Sequence, residues 1–150
     1  MRTSLFEILR PRLEGARVVD CFAGTGSLGF EALSRGAAHA LFLDADLRCV
    51  EVLERNAVHL GFAGRVEVRR ADAFLEAPRL EASDLAFVDP PYAFHAERAA
   101  EVAALVGTLL ARAALVVVEY DRRRPPPPLP GEAVDERRYG DTVVRLLRPA

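Results

Sequence analysis

The sequence predicts an α/β domain built on a mostly parallel, seven-stranded sheet with helices on both faces and an antiparallel hairpin at its C-terminal end. Three observations carry this reading. Short, continuously apolar segments alternate with helical ones, which is how parallel strands buried on both faces read. The stretch Gly24-Thr25-Gly26-Ser27-Leu28-Gly29 joins the first strand to the helix after it. Near the end, two segments flank Gly140-Asp141, the mark of a tight hairpin turn. A chain of 150 residues, 51% of them apolar, is enough for a single domain over 1–150 and too little for two.

In chain order, Arg2 to Leu9 is a short amphipathic segment that Pro11 stops. Ala16 to Cys21 is the first strand, and the glycine-rich turn then opens a helix from Leu28 to Arg35, ended by Gly36. Strand two is Ala40 to Asp44. A long helix follows from Asp46 to Leu60, with Val50, Leu53, Ala57 and Leu60 on its apolar side. Val66-Glu67-Val68 is a third strand ending near Asp72, and Leu85 to Val88 a fourth, closed by Asp89-Pro90-Pro91-Tyr92. A helix from about Ala96 to Ala111 leads to strand five, Ala114 to Tyr120. Arg122-Arg123-Arg124 and four prolines make a stiff, extended connection to the hairpin strands, Ala133 to Tyr139 and Thr142 to Leu147.

A net charge of −2 excludes a disordered acidic tail and a strongly basic arm. No apolar run approaches the roughly 18 residues of a membrane span, and Met1 to Leu5 has no signal-peptide layout. Cys21 and Cys49 make neither a disulfide framework nor a zinc site, so no metal is expected. The expectation is a soluble, cytoplasmic, monomeric protein. All 20 basic residues are arginine, a bias that GC-rich coding explains.

The glycine turn carries the first chemistry. Gly24 permits the turn, Gly26 lets a ligand approach the backbone, and Gly29 allows close helix–strand packing, which together suit a nucleotide-like ligand. Asp44, ending strand two, can accept both hydroxyls of a ribose, while Asp46 fills the role of helix N-terminal carboxylate. Asp72, just past strand three, sits where it can meet an adenine edge. In Asp89-Pro90-Pro91-Tyr92 the prolines remove amide donors and leave carbonyls and a carboxylate as acceptors. Such acceptors suit an exocyclic amine, and Tyr92 can stack on the base that bears it. Cys21 follows no proline, unlike the attacking cysteine of carbon-5 pyrimidine methylation, and both cysteines read as small buried residues. His95 is expected to line the base pocket. The basic groups Arg2, Arg10, Arg12, Arg122 to Arg124 and Arg137-Arg138 read equally as a solvated face or as phosphate contacts.

Asp20-x-x-x-Gly24-x-Gly26 with Asp44, Asp72 and Asp89-Pro90-Pro91-Tyr92 resembles the S-adenosylmethionine-dependent amino-methyltransferases of the class I Rossmann-like fold. More closely, Asp20 to Ala37 (DCFAGTGSLGFEALSRGA) and Arg137 to Thr142 (RRYGDT) resemble the RsmD family, over nearly the whole chain. The resemblance implies methyl transfer to the N2 amine of a guanine in 16S ribosomal RNA, with ribosomal RNA or the small ribosomal subunit as partner and no membrane. It places Asp20, Ala23, Gly24, Gly26, Asp44, Asp72 and Ala73 against S-adenosylmethionine, and Asp89, Pro90, Pro91 and Tyr92 at the reacting amine. It also implies an N-terminal extension upstream of Arg2, expected to be missing here.

Three alternatives stand beside this reading. Asp-Pro-Pro-Tyr serves adenine N6 as well as guanine N2, on DNA or RNA. An NAD-dependent oxidoreductase would share the glycines and Asp44, but it predicts neither the acceptor cluster nor the terminal hairpin. A catalytically silent nucleotide-binding module is opposed by the intact Asp89 and Tyr92.

Overall fold

Among the residues described by the computed structural model, 2–91 and 93–150 with side chains from Ser4 onward, seven strands form one sheet. They are β1 (Arg17–Asp20), β2 (His39–Asp44), β3 (Val66–Arg70), β4 (Ser83–Val88), β5 (Ala113–Asp121), β6 (Glu132–Tyr139) and β7 (Thr142–Arg148). Their order is β3-β2-β1-β4-β5-β7-β6. β1 to β5 run parallel, β7 lies antiparallel to β5, and β6 pairs antiparallel with β7 across the expected turn. The expected fold class is what the structure has.

The apolar strands feed two cores because successive side chains point to opposite faces. Val18, Phe42, Leu85, Phe87, Leu115 and Val117 meet α1 (Arg2–Leu9), α2 (Ser27–Ser34) and α3 (Leu47–His59) on one face. Val19, Leu41, Leu43, Val88, Val116 and Val118 meet α6 (Ala99–Leu110) on the other. Phe6 of α1 is fully buried 5.9 Å from Phe87, and burying a side chain of this kind contributes about 1.5–3 kcal/mol. Thus α1 is part of the core. Edge strand β6 is mostly exposed and carries charges of both signs, with Glu132–Arg148 and Glu136–Arg145 pairs across to β7. Charge on an edge opposes pairing with another chain.

Several boundaries differ from expectation for local reasons. α3 starts one residue later than expected because the Asp46 carboxylate caps it, accepting the Arg48 N–H at 2.8 Å. Leu60 is 54% exposed, since the helix ends before it and Phe62 packs on Phe30 instead. The helix expected over 96–111 is two, α5 (Phe94–Glu97) and α6, broken at Arg98, whose φ of −124° and ψ of 35° lie outside the helical range. Between β3 and β4 an unexpected single turn, α4 (Ala73–Glu76), is capped by Asp72. The proline connection folds back on the domain: Leu129 packs against the α6 core, and the space beside Gly107 is closed by Pro130.

Candidate active site

The sheet order reverses between β1 and β4, and side chains at the carboxyl ends of the parallel strands there border a cleft of about 590 Å3. Open α/β sheets bind ligands at this kind of switch point, and the volume suits a nucleotide-sized molecule. The cleft has two sides, one from the ends of β1, β2 and β3, the other from β4, β5 and β7.

On the first side the backbone is locked by carboxylates. Gly24 and Gly26 have φ of +58° and +85°, which favour glycine. A Cβ on Gly26 would also lie 2.5 Å from Phe30 and 2.6 Å from Leu53, and one on Gly29 would run into the Phe42 ring. Gly29 therefore has the close-packing role expected of it, and Gly26 answers to the core as well as to the turn. Asp20 is 2% exposed and accepts the Gly29 N–H at 3.3 Å, closing the turn from behind. Asp44 accepts the Gly24 N–H on Oδ2 and the Asp46 N–H on Oδ1, both at 2.9 Å, so it clamps the glycine turn to the start of α3. Asp72 accepts the Phe74 N–H at 2.9 Å. Of the seven residues expected at the cofactor, Gly24, Asp44, Asp72 and Ala73 line the cleft, and Asp20, Ala23 and Gly26 stand behind it.

On the second side, Asp89 is exposed, Pro90 buried and Pro91 exposed, and all three line the cleft. The Pro91 carbonyl accepts the Phe94 N–H at 2.9 Å, which turns the chain into α5. Tyr92 lies outside the described residues. His95 is 2% exposed and lines the cleft as expected, its Nε2 3.1 Å from the Glu119 carbonyl. Burial pushes its pKa below the ordinary value, against the opposing pull of that carbonyl. Tyr120 donates to Glu136 at 3.0 Å and accepts from Arg145 at 2.9 Å; burial first, then the Glu136 bond, raises its pKa.

Sequence reasoning missed an aromatic wall. Phe22, Phe74 and Phe94 meet pairwise at ring separations of 5.7 to 6.2 Å, and the Arg98 guanidinium lies 4.0 Å from the Phe74 ring centre. Each phenylalanine stands within two residues of a motif, beside Cys21, Asp72 and Tyr92, but only folding shows that the three converge. Cys21 is buried, and burial with the Asp20 charge holds its thiol far above the ordinary range, so it remains protonated. Cys49 is only half-buried, unlike the expectation. Among the described residues no helix is long and apolar enough to cross a membrane.

The family profile described as conserved hypothetical protein 95 matches residues 1–148. The chain is 32% identical to a candidate rRNA methyltransferase of Bacillus subtilis, YlbH, over 99% of this chain and 84% of that protein. It is 40% identical to the ribosomal RNA small subunit methyltransferase D of Escherichia coli over 61% of this chain and 46% of that protein.

The chain belongs to the RsmD-type methyltransferase family.

The solved Escherichia coli protein yhhF, a candidate methyltransferase, superposes on it with a TM-score of 0.86 at 31% identity, covering 99% of this chain and 86% of that one. This RsmD-type chain thus has the class I methyltransferase architecture, Rossmann-like, with its cleft at the switch point.

Proposed function

We propose that this protein is an S-adenosylmethionine-dependent methyltransferase that modifies the exocyclic N2 amine of a guanine in small-subunit ribosomal RNA. One observation carries the reading: Asp44 and Asp72 face Asp89 and Pro90 across a single cleft, so a nucleoside site and an acceptor pair for an amine share one cavity. The residues suit the cofactor. Asp44 spends one acceptor direction of each oxygen on a backbone N–H and keeps others for ribose hydroxyls. Asp72 can receive the adenine amine, and the phenylalanine wall offers the apolar surface an adenosyl group requires. S-adenosylmethionine supplies a sulfonium methyl that is electrophilic without further activation.

The chain's own residues then align and desolvate. Asp89 and the Pro90 carbonyl accept the two amine hydrogens and turn the nitrogen lone pair toward the cofactor side. With S-adenosylmethionine held there, its sulfonium would supply the methyl and keep the electron pair of the broken S–C bond, and the methylated amine would shed one proton to solvent. RNA contact falls to the rim. Arg122 bonds Asp141 and Arg123 bonds Asp121, fixing the arginine loop against the hairpin turn beside Tyr120 and Thr142. Arg124 and Arg138 are exposed with no ion pair among the described residues, and such guanidiniums suit phosphate.

Transfer of labelled methyl to deproteinised RNA and to 30S particles, followed by nucleoside analysis, tests the reading. N2-methylguanosine from the small-subunit RNA is the expected product. N6-methyladenosine would redirect the chemistry, and binding of NAD with no binding of S-adenosylmethionine in calorimetry would overturn it.

A further inference from the structure

Beyond Asp89 and Pro90, the far strands bring one more polar side chain to the cleft. Thr142, the first residue of β7, lines it and is half-buried. Its hydroxyl has no hydrogen bond among the described residues. Side chains two apart on a strand share a face, and the next one inward, Val144, is fully buried. Thr142 is therefore where that face leaves the core and meets the cleft. The turn before it is fixed. The Arg122 N–H donates to the Asp141 carbonyl at 2.6 Å, the Arg122 guanidinium pairs with the Asp141 carboxylate at 3.1 Å, and Arg123 pairs with Asp121 at 2.8 Å. A hydroxyl on so braced a turn is preorganised for a ligand.

Strand pairing sets where this hydroxyl stands relative to the amine site. Val88 of β4 pairs with Val118 of β5, so Asp89 follows at the level of Glu119. Thr142 pairs with Asp121, two residues further out on β5. Strands rise about 3.3 Å per residue and lie about 4.8 Å apart, so Thr142 stands nearer the mouth than Asp89 and about 10 Å across the sheet from it. β6 comes next, where exposed Arg138 pairs with Val143. A nucleotide has the same order: amine on the base, then sugar, then phosphate. With the amine at Asp89 and Pro90 and phosphates at Arg124 and Arg138, the sugar falls opposite Thr142. Arg122 and Arg123 are spent on Asp141 and Asp121, so the charge beside Thr142 is already balanced and offers little to a phosphate. A ribose 2′-hydroxyl both donates and accepts, as a threonine hydroxyl does, and it is the group that distinguishes RNA from DNA.

We propose that Thr142 bonds the 2′-hydroxyl of the target nucleotide and so makes the cleft selective for RNA over DNA. The proposal rests on the amino-methyltransferase reading of this cleft and adds the sugar to the base which that reading names.

The test uses the full chain and 30S particles whose 16S RNA carries guanosine or 2′-deoxyguanosine at the modified nucleotide. Wild type should prefer guanosine by about fivefold or more in kcat/KM, the worth of one hydrogen bond. Thr142→Val keeps the shape without the hydroxyl, and should bring the two substrates close to parity by losing rate on guanosine alone. Thr142→Ser should keep most of the preference. A threonine that only shapes the strand, or one that bonds a phosphate, would lower both substrates together. An unchanged ratio of the two in Thr142→Val therefore overturns the proposal, and so does a wild type that takes both sugars equally. Calorimetry with S-adenosylmethionine monitors folding of each variant, and Thr142→Ala decides in place of any variant that fails it. Wild type that makes no N2-methylguanosine on the guanosine particles overturns the functional reading itself, which nucleoside analysis distinguishes from a failure of Thr142 alone.

Discussion

The two sides of the cleft are built differently. On the β1–β3 side, Asp20, Asp44 and Asp72 hold four backbone N–H groups between them, and three of the four bonds span nine residues or fewer. On the β4–β5–β7 side, His95 reaches the Glu119 carbonyl, and Tyr120 reaches Glu136 and Arg145, over 16 to 25 residues of chain. The first side is a set of backbone turns tied off by carboxylates; the second is a set of side chains brought together by sheet pairing. The difference teaches that one side of a cleft can be encoded by short-range turns, whereas the other depends on how distant strands meet.

Substitutions should separate the two sides. Asp89→Ala has the largest expected effect: loss of alignment should cut single-turnover methyl transfer by about a hundredfold or more. Its affinity for S-adenosylmethionine should stay near wild type in calorimetry, because the role proposed for this carboxylate is at the amine. Transfer retained within a few-fold would merge the two sides into one.

Asp44→Ala should do the reverse. It leaves ribose hydroxyls and the Gly24 and Asp46 amides without their acceptor, weakening cofactor binding by about 1–3 kcal/mol. Transfer at saturating cofactor should be little changed. A loss of rate that saturation cannot restore would show that Asp44 also shapes the amine side.

Gly29→Ala tests whether the glycine turn serves packing. The added methyl would meet Phe42, and overpacking of this kind costs about 1–3 kcal/mol, readable in denaturant unfolding. Stability equal to wild type would mean that the helix can shift away from β2 at no cost.

The smallest effect concerns the hairpin rim. The Arg123 guanidinium and backbone N–H hold the Asp121 carboxyl at about 2, below its ordinary value of 3.8. A depressed carboxyl adds stability that is full above the ordinary value and is lost as pH falls from there through about 2. Asp121→Asn should therefore flatten the stability curve between pH 4 and 2 and leave cofactor affinity untouched. An unchanged acid profile would remove this pair from the account of the rim.

The mostly parallel sheet, the glycine turn, the place of Asp46 as a carboxylate at a helix N-terminus and the hairpin about Gly140-Asp141 were all legible in the residues. Each follows from interactions within a few positions: apolar continuity, a left-handed glycine, a carboxylate beside a free N–H. The clamp made by Asp44 was not legible as such, because its partners belong to two different loops. The break at Arg98 escaped periodicity for a similar reason. Arg98 stacks on Phe74 from another element and bonds Glu101, and those contacts accompany a backbone that leaves the helix. The fold-back of the proline connection onto α6 was equally hidden, since prolines set its stiffness but not its direction.

By itself, then, the sequence determined the order of the elements, the two faces of the sheet and the acidic and glycine positions at its strand ends, since these depend on residue type and spacing. Only the tertiary structure decided which of those positions look into the cleft, that Phe22, Phe74 and Phe94 form one wall, and that His95 is buried against the Glu119 carbonyl. The physical reason is that side-chain direction and burial arise from strands pairing across long separations, and that information exists in the chain only once the sheet has formed.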